Sequence, residues 1–371
     1  MKKIIIISTI ILYNLSGFAQ NCTDENVLQI PGKWKAGMPG ASGHTAADNL
    51  KEKTLALDII KTIRTNLTWS PVGGDITYGV VYGIRDDDYR PLPVIKSCNR
   101  YGADIYFQHY YCSGGKINTE DFTIIVTATM NDIPFEFKET FFKSRKDKLG
   151  YDIDVDPDTD RYTSIAKLPV TKDGMFEYSQ PDYQGSVGGQ DMIYKYRVLT
   201  KPGQLPYSVM SKKEYYEKSK IKHQQNIADH EKSKLKAIET AKIIGNTRAV
   251  ESEDHSIAYE LERINKIDKI LSTKTAAELA APAFLGEESG EYYEANTKQN
   301  PDRYIIKPNL AYYNFKLPKT RPQVIELCFR YRQSTDKYGD VHYADEVFYN
   351  ELQRVKILDL LTAKLQPLIE Q

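Results

Sequence analysis

The sequence predicts an α+β fold: a helix beside an antiparallel sheet, an inserted antiparallel helical hairpin, and a C-terminal strand and helix returning to the body. Three observations carry this. A single helical apolar pattern begins near Ala46 and is followed by a long stretch whose hydrophobic period moves toward two. No helical segment lies between those strands to serve as a parallel crossover. A heavily charged segment from Lys212 to Ile244, free of proline and glycine, then interrupts the pattern.

The elements can be justified in order. Pro31-Gly32, Pro39-Gly40 and Ser42-Gly43 keep the early chain irregular. From Thr45 or Ala46, Leu50, Leu55, Leu57, Ile59, Ile60, Ile63 and Leu67 supply a helical face that ends before Pro71 and Gly73-Gly74. Strands follow at Ile76 to Ile84, Asp104 to Tyr111, Phe122 to Met130 and Pro134 to Phe142, the last two joined as a hairpin. Further strands are expected at Asp152 to Val155, Thr163 to Leu168 and Met192 to Leu199. A curled sheet around one helix, as in cystatin-like folds, is the specific topology expected.

Ser211-Lys212-Lys213-Glu214 reads as a capping box, and Gly245-Asn246 as the matching stop. Within this helix Ile221, Ala228 and Leu235 recur every seven residues, with Ile238 nearby. A second helix from about Asp254 to Leu279 offers Ile257, Leu261, Ile264, Ile267, Ile270 and Leu271 as the opposing stripe of a coiled-coil-like hairpin. Its polar flanks predict that it projects into solvent. The chain is then loop-rich to about Lys307, with a strand at Val324 to Tyr331 and an amphipathic helix from about Asp345 to Leu365. The expected division is a signal peptide (1–19), an N-terminal α+β domain (20–205), the charged hairpin (206–282) and a C-terminal segment packing on the body (283–371).

The leader is the clearest address. Lys2 and Lys3 precede an apolar run from Ile4 to Leu12, and Gly17-Phe18-Ala19 fits cleavage before Gln20. Gln20-Asn21 before Cys22 lacks the small residues of a lipobox. The mature protein is expected to be exported, periplasmic or secreted, with no transmembrane segment. Without Lys2 and Lys3 the charges are 48 basic against 50 acidic, which gives no reason to expect nucleic acid as a partner.

Tyrosine is the compositional outlier, 27 against 12 Phe and 2 Trp, and suits half-exposed binding faces. The doublets Tyr110-Tyr111, Tyr215-Tyr216, Tyr292-Tyr293 and Tyr312-Tyr313 could line a sugar or peptide surface or simply pack strand and helix edges. Export makes one or two disulfides the expectation among Cys22, Cys98, Cys112 and Cys328. Cys98 and Cys112 flank a strand that would hold them roughly 25 Å apart, so they pair only if the chain folds back near Gly102.

Asp152, Asp154 and Asp156 share one face of a strand and offer oxygen ligands for calcium, the only cofactor suggested. Against it, the calcium-loop template fails: Pro157 and Thr163 stand where glycine and glutamate belong. Asp86-Asp87-Asp88 reads as a solvated turn. His223 and His230, seven apart, lie roughly 10 Å apart on one helix face, too far to share a metal, and read as solvated. Gly185-Ser186-Val187-Gly188-Gly189 lacks the register of a nucleophile elbow, and no phosphate-binding or dinucleotide fingerprint occurs.

Leu205-Pro206-Tyr207-Ser208-Val209 leading through Lys213-Glu214-Tyr215, Asn314-Phe315-Lys316-Leu317-Pro318-Lys319 with Pro322-Gln323, and the leader ending Phe18-Ala19-Gln20 resemble an uncharacterised group of exported proteins from Bacteroidetes bacteria. The resemblance implies an envelope or secreted setting and no established activity. The preferred reading is a non-enzymatic protein that binds a protein or glycan partner in the cell envelope through the hairpin or a tyrosine-rich surface. The alternatives are a hydrolase acting on glycan or peptide through paired carboxylates, and a peptidase inhibitor.

Overall fold

A computed structural model describes residues 22–37, 45–67, 70–82, 98–119, 124–135, 137, 145–146, 152–153, 162–165, 167–182, 192–285, 303–332 and 343–370. The leader, Asp86 to Asp88, Asp154, Asp156, Gly185 to Gly189, Tyr292-Tyr293 and most of the strand expected at 134–142 lie outside these residues.

The first elements are α1 (Asp24–Val27), β1 (Trp34–Ala36), α2 (Ala46–Asn66), β2 (Gly74–Val81), β3 (Tyr101–Ser113), β4 (Lys116–Thr119) and β5 (Ile124–Met130). Short strands β6 (Arg145–Lys146), β7 (Asp152–Ile153), β8 (Thr163–Ile165) and β9 (Val170–Lys172) precede β10 (Met175–Asp182), β11 (Met192–Leu199) and β12 (Tyr207–Val209). The hairpin helices are α3 (Lys212–Ile244) and α4 (Arg248–Thr273), followed by α5 (Ala276–Ala280). Last come β13 (Phe284–Leu285), β14 (Arg303–Pro308), β15 (Ile325–Arg332), α6 (Tyr343–Arg354), α7 (Ile357–Leu365) and α8 (Pro367–Glu370). The class is α+β.

The main sheet has the order β1-β2-β3-β5-β15-β11-β10-β9, with β4 added on β3. Only β1 and β2 pair in parallel within it; its other ladders are antiparallel. The sheet is not a simple meander, because β15 enters from the end of the chain between β5 and β11.

One sheet face is apolar by strict alternation: Ile76, Tyr101, Ala103, Ile105, Phe107, Ile124, Val126, Ala128, Met130, Ile325, Leu327 and Phe329. Ala56, Ile59, Ile60 and Ile63 of α2 cover it, with Phe348, Leu352, Ile357, Leu361 and Leu365 of α6 and α7. The strand at 325–332 and the final helices thus join the N-terminal core, which neither could replace alone.

The expected hairpin of 122–130 with 134–142 does not form at β5. Both edges of β5 are occupied, by β3 and β15, which leaves no ladder for the next segment. Asn131 instead turns the chain at a positive φ of 59°. Its side chain donates to Asn99 O at 2.8 Å and accepts from Gln323 N at 2.8 Å. Phe135 and Phe137 then fill a second core with Phe176, Val198, Tyr207, Ile306 and Tyr312. Asn99 in turn donates to Glu52, fully buried on α2, at 2.6 Å, so one polar network ties the helix to the turn.

Other departures have local causes. Asp173 and Gly174 take φ of 47° and 74°, a hairpin turn between β9 and β10 that an Asp-Gly pair favours. The final helix breaks at Lys356, which has φ 49°. The loop-rich stretch contains β13 and β14, and β14 pairs with β12, β13 and β8 in a second sheet. The hairpin leaves and re-enters at one point: Ser211 bridges Pro282, and Ala283 N donates to Met210 O at 2.9 Å.

One disulfide, Cys22–Cys112, forms with a Cα separation of 5.8 Å. Gly102 lies inside β3 rather than at a turn, so Cys98 stays at the far end of that strand from Cys112. Cys98 and Cys328 are buried thiols, and Gln323 Nε2 lies 3.1 Å from the Cys98 sulfur.

Asp75, almost fully buried, fastens β1 to β2 and β3. Burial works against its charge, yet hydrogen bonds from Lys35, Tyr110 (2.6 Å) and the Lys33 N–H (2.8 Å), with the Lys35 charge, hold the carboxyl below its ordinary range. Such a lowered group adds stability above the unfolded carboxyl pKa near ~3.9 and loses it as pH falls through the lower folded value. Asp75→Asn is therefore expected to destabilise the fold at pH 7 by about 1–3 kcal/mol in urea unfolding. The deficit should shrink as the medium is acidified; a deficit independent of pH would show that charge is not the cause.

Candidate functional site

Two surfaces concentrate unusual chemistry. The first is the sheet face opposite the core. The ladder registers place Gly79, Asp104, Thr127, Cys328, Tyr196 and Tyr178 in one row across five adjacent ladders. The neighbouring row holds Thr77, Tyr106, Ile125, Arg330, Tyr194 and Gln180, and the row beyond Asp104 on the other side holds Gly102, Thr129 and Glu326. The tyrosine excess is partly spent here: the Tyr194 and Tyr196 rings lie 6.0 Å apart and nearly parallel, and Tyr178 and Tyr196 lie 6.3 Å apart. Arg330 sits over the Tyr194 ring at 5.7 Å.

Asp104 is the electrostatic outlier of this face. It is 8% exposed, and burial raises its carboxyl above the ordinary range, although the Tyr106 hydroxyl and the Gly79 N–H act in the opposite direction. Gly79 is required here, since a Cβ would overlap the Asp104 carboxylate. Burial, and then Asp104 itself, push the Tyr106 hydroxyl upward. Cys328 is likewise raised, first by burial and then by Glu326.

Periodicity alone could not single out Asp104, because an Asp in an alternating strand reads as solvent-facing. A group with a raised folded pKa favours folding only when protonated, so the ionised Asp104 costs stability at neutral pH. Asp104→Asn is expected to raise the urea midpoint at pH 7, with the gain vanishing once the pH falls below about 4. An unchanged or lowered midpoint at pH 7 would count against a burial-dominated carboxylate.

The second surface is the hairpin. Ser211 accepts from the Glu214 N–H at 3.2 Å, but the Glu214 carboxylate pairs with Lys307 instead of closing the capping box. The complete box is at Thr275 and Glu278, which open α5 and separate it from α4. Gly245, at φ 67°, stops α3 as expected, and α4 starts at Arg248, earlier than its apolar stripe suggests.

The helices do not meet along Ile221, Ala228 and Leu235: Ile221 is 50% exposed and Leu235 65%. The seam is the other heptad, Tyr216, His223 and His230, facing Ile267, Glu260 and Glu253. His223 contacts Glu260, and His230 meets Glu253 at 2.7 Å, so the two rungs lie seven residues apart on both helices. Asn226 adds a hydrogen bond to Glu260 at 3.0 Å. The histidines expected to be solvated are therefore clasped between helices. No group of three or more metal-ligating side chains occurs among the described residues. Of the aspartates suggested for calcium, only Asp152 falls within a described element, β7.

The seam rungs orient the remaining faces. Lys220–Asp268, at 2.5 Å, and Lys234–Asp254 mark one flank. At helical spacing that flank also takes Ile227, Ile238, Val250, Ile257, Leu261 and Ile264, with Ile221 and Leu235 widening it around α3. The opposite flank takes Ser219, Asn226, Ser233, Ser252 and Arg263. Leu261 is 48% exposed. His223, His230, Glu253 and Glu260 thus continue the seam beyond Tyr216 and Ile267, while Ile227, Ile238, Val250, Ile257 and Ile264 are half-buried at its edge and Ile221, Leu235 and Leu261 stand exposed.

A cleft of about 310 Å³ lies between α2 and the loop before β15, lined by Lys51, Leu55, Tyr101, Arg321 and Leu368 among others; its lining residues include no carboxylate.

Fold and surfaces define an α+β protein with an inserted helical arm and a tyrosine-lined sheet face. No protein family, no curated protein and no solved structure matches the chain. No helix among the described residues is long and apolar enough to cross a membrane.

Replacing His223 and Glu260 together by leucine is expected to leave the hairpin as stable or more so, because two aliphatic side chains pack without desolvating charge. His223→Ala alone should cost the hairpin about 1–3 kcal/mol by stranding Glu260. Amide hydrogen exchange across 212–273 reads both; equal losses in the two variants would contradict a polar clasp.

Proposed function

We propose that the chain is a non-enzymatic interaction protein of the cell envelope, exported by its leader, whose hairpin is the arm on which a protein partner docks. The observation that carries this is the inverted polarity of the hairpin. A helix pair standing alone in water gains most by enclosing its aliphatic residues. Here Ile221, Leu235 and Leu261 are left open while histidine and glutamate fill the seam. Exposed apolar area of this kind is the common mark of a contact surface. The Cys22–Cys112 disulfide accords with an oxidising compartment, and the envelope setting agrees with the resemblance to exported Bacteroidetes proteins.

The hydrolase reading has less support. Asp104 and Glu326 share a sheet face but stand two strands and two residues apart, so their backbones are about 12 Å from each other. Glycosidase carboxyl groups converge on one pocket, whereas the lining of the cleft of about 310 Å³ includes no carboxylate.

The test is crosslinking in native envelopes with the intact chain and with Leu235→Glu/Leu261→Glu. Both positions are exposed, so the fold should survive the change. A protein captured by the intact chain and reduced at least tenfold in the variant supports the docking arm. Equal capture, or none by either, removes its basis.

A further inference from the structure

We infer that the cleft between α2 and the loop before β15 is a binding site for a small organic carboxylate that carries an apolar side chain. The site lies on the body of the protein, so the inference stands apart from the hairpin and its partner.

The sequence concentrates positive charge on one wall. From Arg303 to Ile325 the chain holds no Asp or Glu, yet Lys316, Lys319 and Arg321 fall in the loop before β15. Arg321 lines the cleft half-buried, and Lys51 of α2, exposed, lines it from the helix side. Neither cation has a carboxylate partner among the described residues, whereas Lys35, Arg100, Arg197 and Lys364 are each paired. Glu52 acts electrostatically on Tyr101 of the lining, but it is fully buried, accepts from Asn99 at 2.6 Å and does not line the cleft. Two uncompensated cations beside apolar walls make an anion the complementary ligand.

The walls are fixed by the fold itself. The Tyr101 hydroxyl donates to Thr320 O at 2.6 Å, the Arg321 N–H donates to Pro318 O at 2.8 Å, and Asn131 donates to Arg321 O at 3.3 Å. Pro318 and Pro322 set φ on either side of the arginine, so little backbone freedom remains to be lost on binding. The rest of the lining selects the chemistry. Leu55 and Leu368 are half-buried and the Tyr101 ring is almost wholly enclosed, so the cleft is apolar away from its cations. Thr320 offers one hydroxyl, and the Tyr101 proton is already given to Thr320 O. A sugar phosphate would bury hydroxyls without partners here, whereas a carboxylate beside an aliphatic side chain leaves none. The planar fork of arginine matches a carboxylate through two parallel bonds. At about 310 Å³ the cleft stands at the small end of ligand pockets, ~300–1,000 Å³. That suits the terminal residue of a peptide or one free acid of similar size.

The experiment is isothermal titration of the full chain with N-acetyl-leucine, its amide, a short peptide with a free C-terminal leucine, and inorganic phosphate. The acid is expected to bind, with the amide and phosphate each at least tenfold weaker. Arg321→Gln should weaken the acid at least tenfold and Lys51→Gln several-fold, with unchanged circular dichroism, and Arg321→Lys should recover part of the loss. A peptide at least tenfold tighter than the acid identifies a protein C-terminus as the source of the carboxylate; equal affinity identifies a free small acid. Equal binding of acid and amide, or of acid and phosphate, overturns the carboxylate site. So does the absence of binding by acid and peptide alike at ~10 mM. Binding undiminished in both Arg321→Gln and Lys51→Gln overturns the cleft as its place. Leu235→Glu/Leu261→Glu should bind the acid as the intact chain does, which keeps this result separate from envelope capture.

Discussion

The fold depends on β15. Without it, β5 and β11 have no partner in common, and the sheet splits into an N-terminal half and a β9–β11 half. The strand supplies both surfaces at once. Ile325, Leu327 and Phe329 complete the core beneath α2, α6 and α7, while Glu326, Cys328 and Arg330 complete the polar face on the other side. A one-residue slip would exchange those sets, placing two charged groups in the core and three large apolar groups outside it. Register is therefore held by burial on one side and by the turn network on the other. Gln323, two residues before the strand, is fully enclosed by Asn131, Asn314, Tyr312 and the Cys98 thiol. Pairing of segments so distant in sequence carries a high closure cost and implies that β15 closes the sheet late in folding.

How much of this was legible follows from how local each signal is. The helix over 46–66 is written in its own three- and four-residue spacing, and α3 is bounded by Ser211 and Gly245 at the positions their chemistry dictates. The strand at 325–332 was legible as a strand, yet nothing within it names its neighbours. The hairpin expected between β5 and the segment after it fails on that gap, since a short turn after Met130 implies a local hairpin only if β5 has a free edge. The Asp173-Gly174 turn was a readable signal, standing between β9 and the aromatic alternation of Phe176 and Tyr178. Asp104 was not readable, because its meaning lies in what covers it.

The hairpin shows a different limit. Helix α3 contains two heptads in one segment: the apolar one through Ile221 and Leu235 and the polar one through Tyr216, His223 and His230. Hydrophobicity selects the first, but the fold uses the second because α4 presents Glu253 and Glu260 at the same seven-residue step. The choice depends on the partner helix, so no analysis of α3 by itself could make it.

Polar rungs of this kind define register better than they add stability. A buried polar pair returns little net free energy over a packed aliphatic pair, but shifting the helices by one turn would break both the His223–Glu260 and the His230–Glu253 contacts. The seam therefore fixes how α3 and α4 align while Ile221, Leu235 and Leu261 remain exposed. Those three residues lie beyond the small apolar contact of Tyr216, Ile267 and Leu279 at the base of the hairpin. An arm whose alignment is set by polar groups and whose apolar area is left open is built to complete its packing elsewhere. The free energy withheld from the isolated hairpin is then available on association, and this physical difference separates a docking arm from a structural spur.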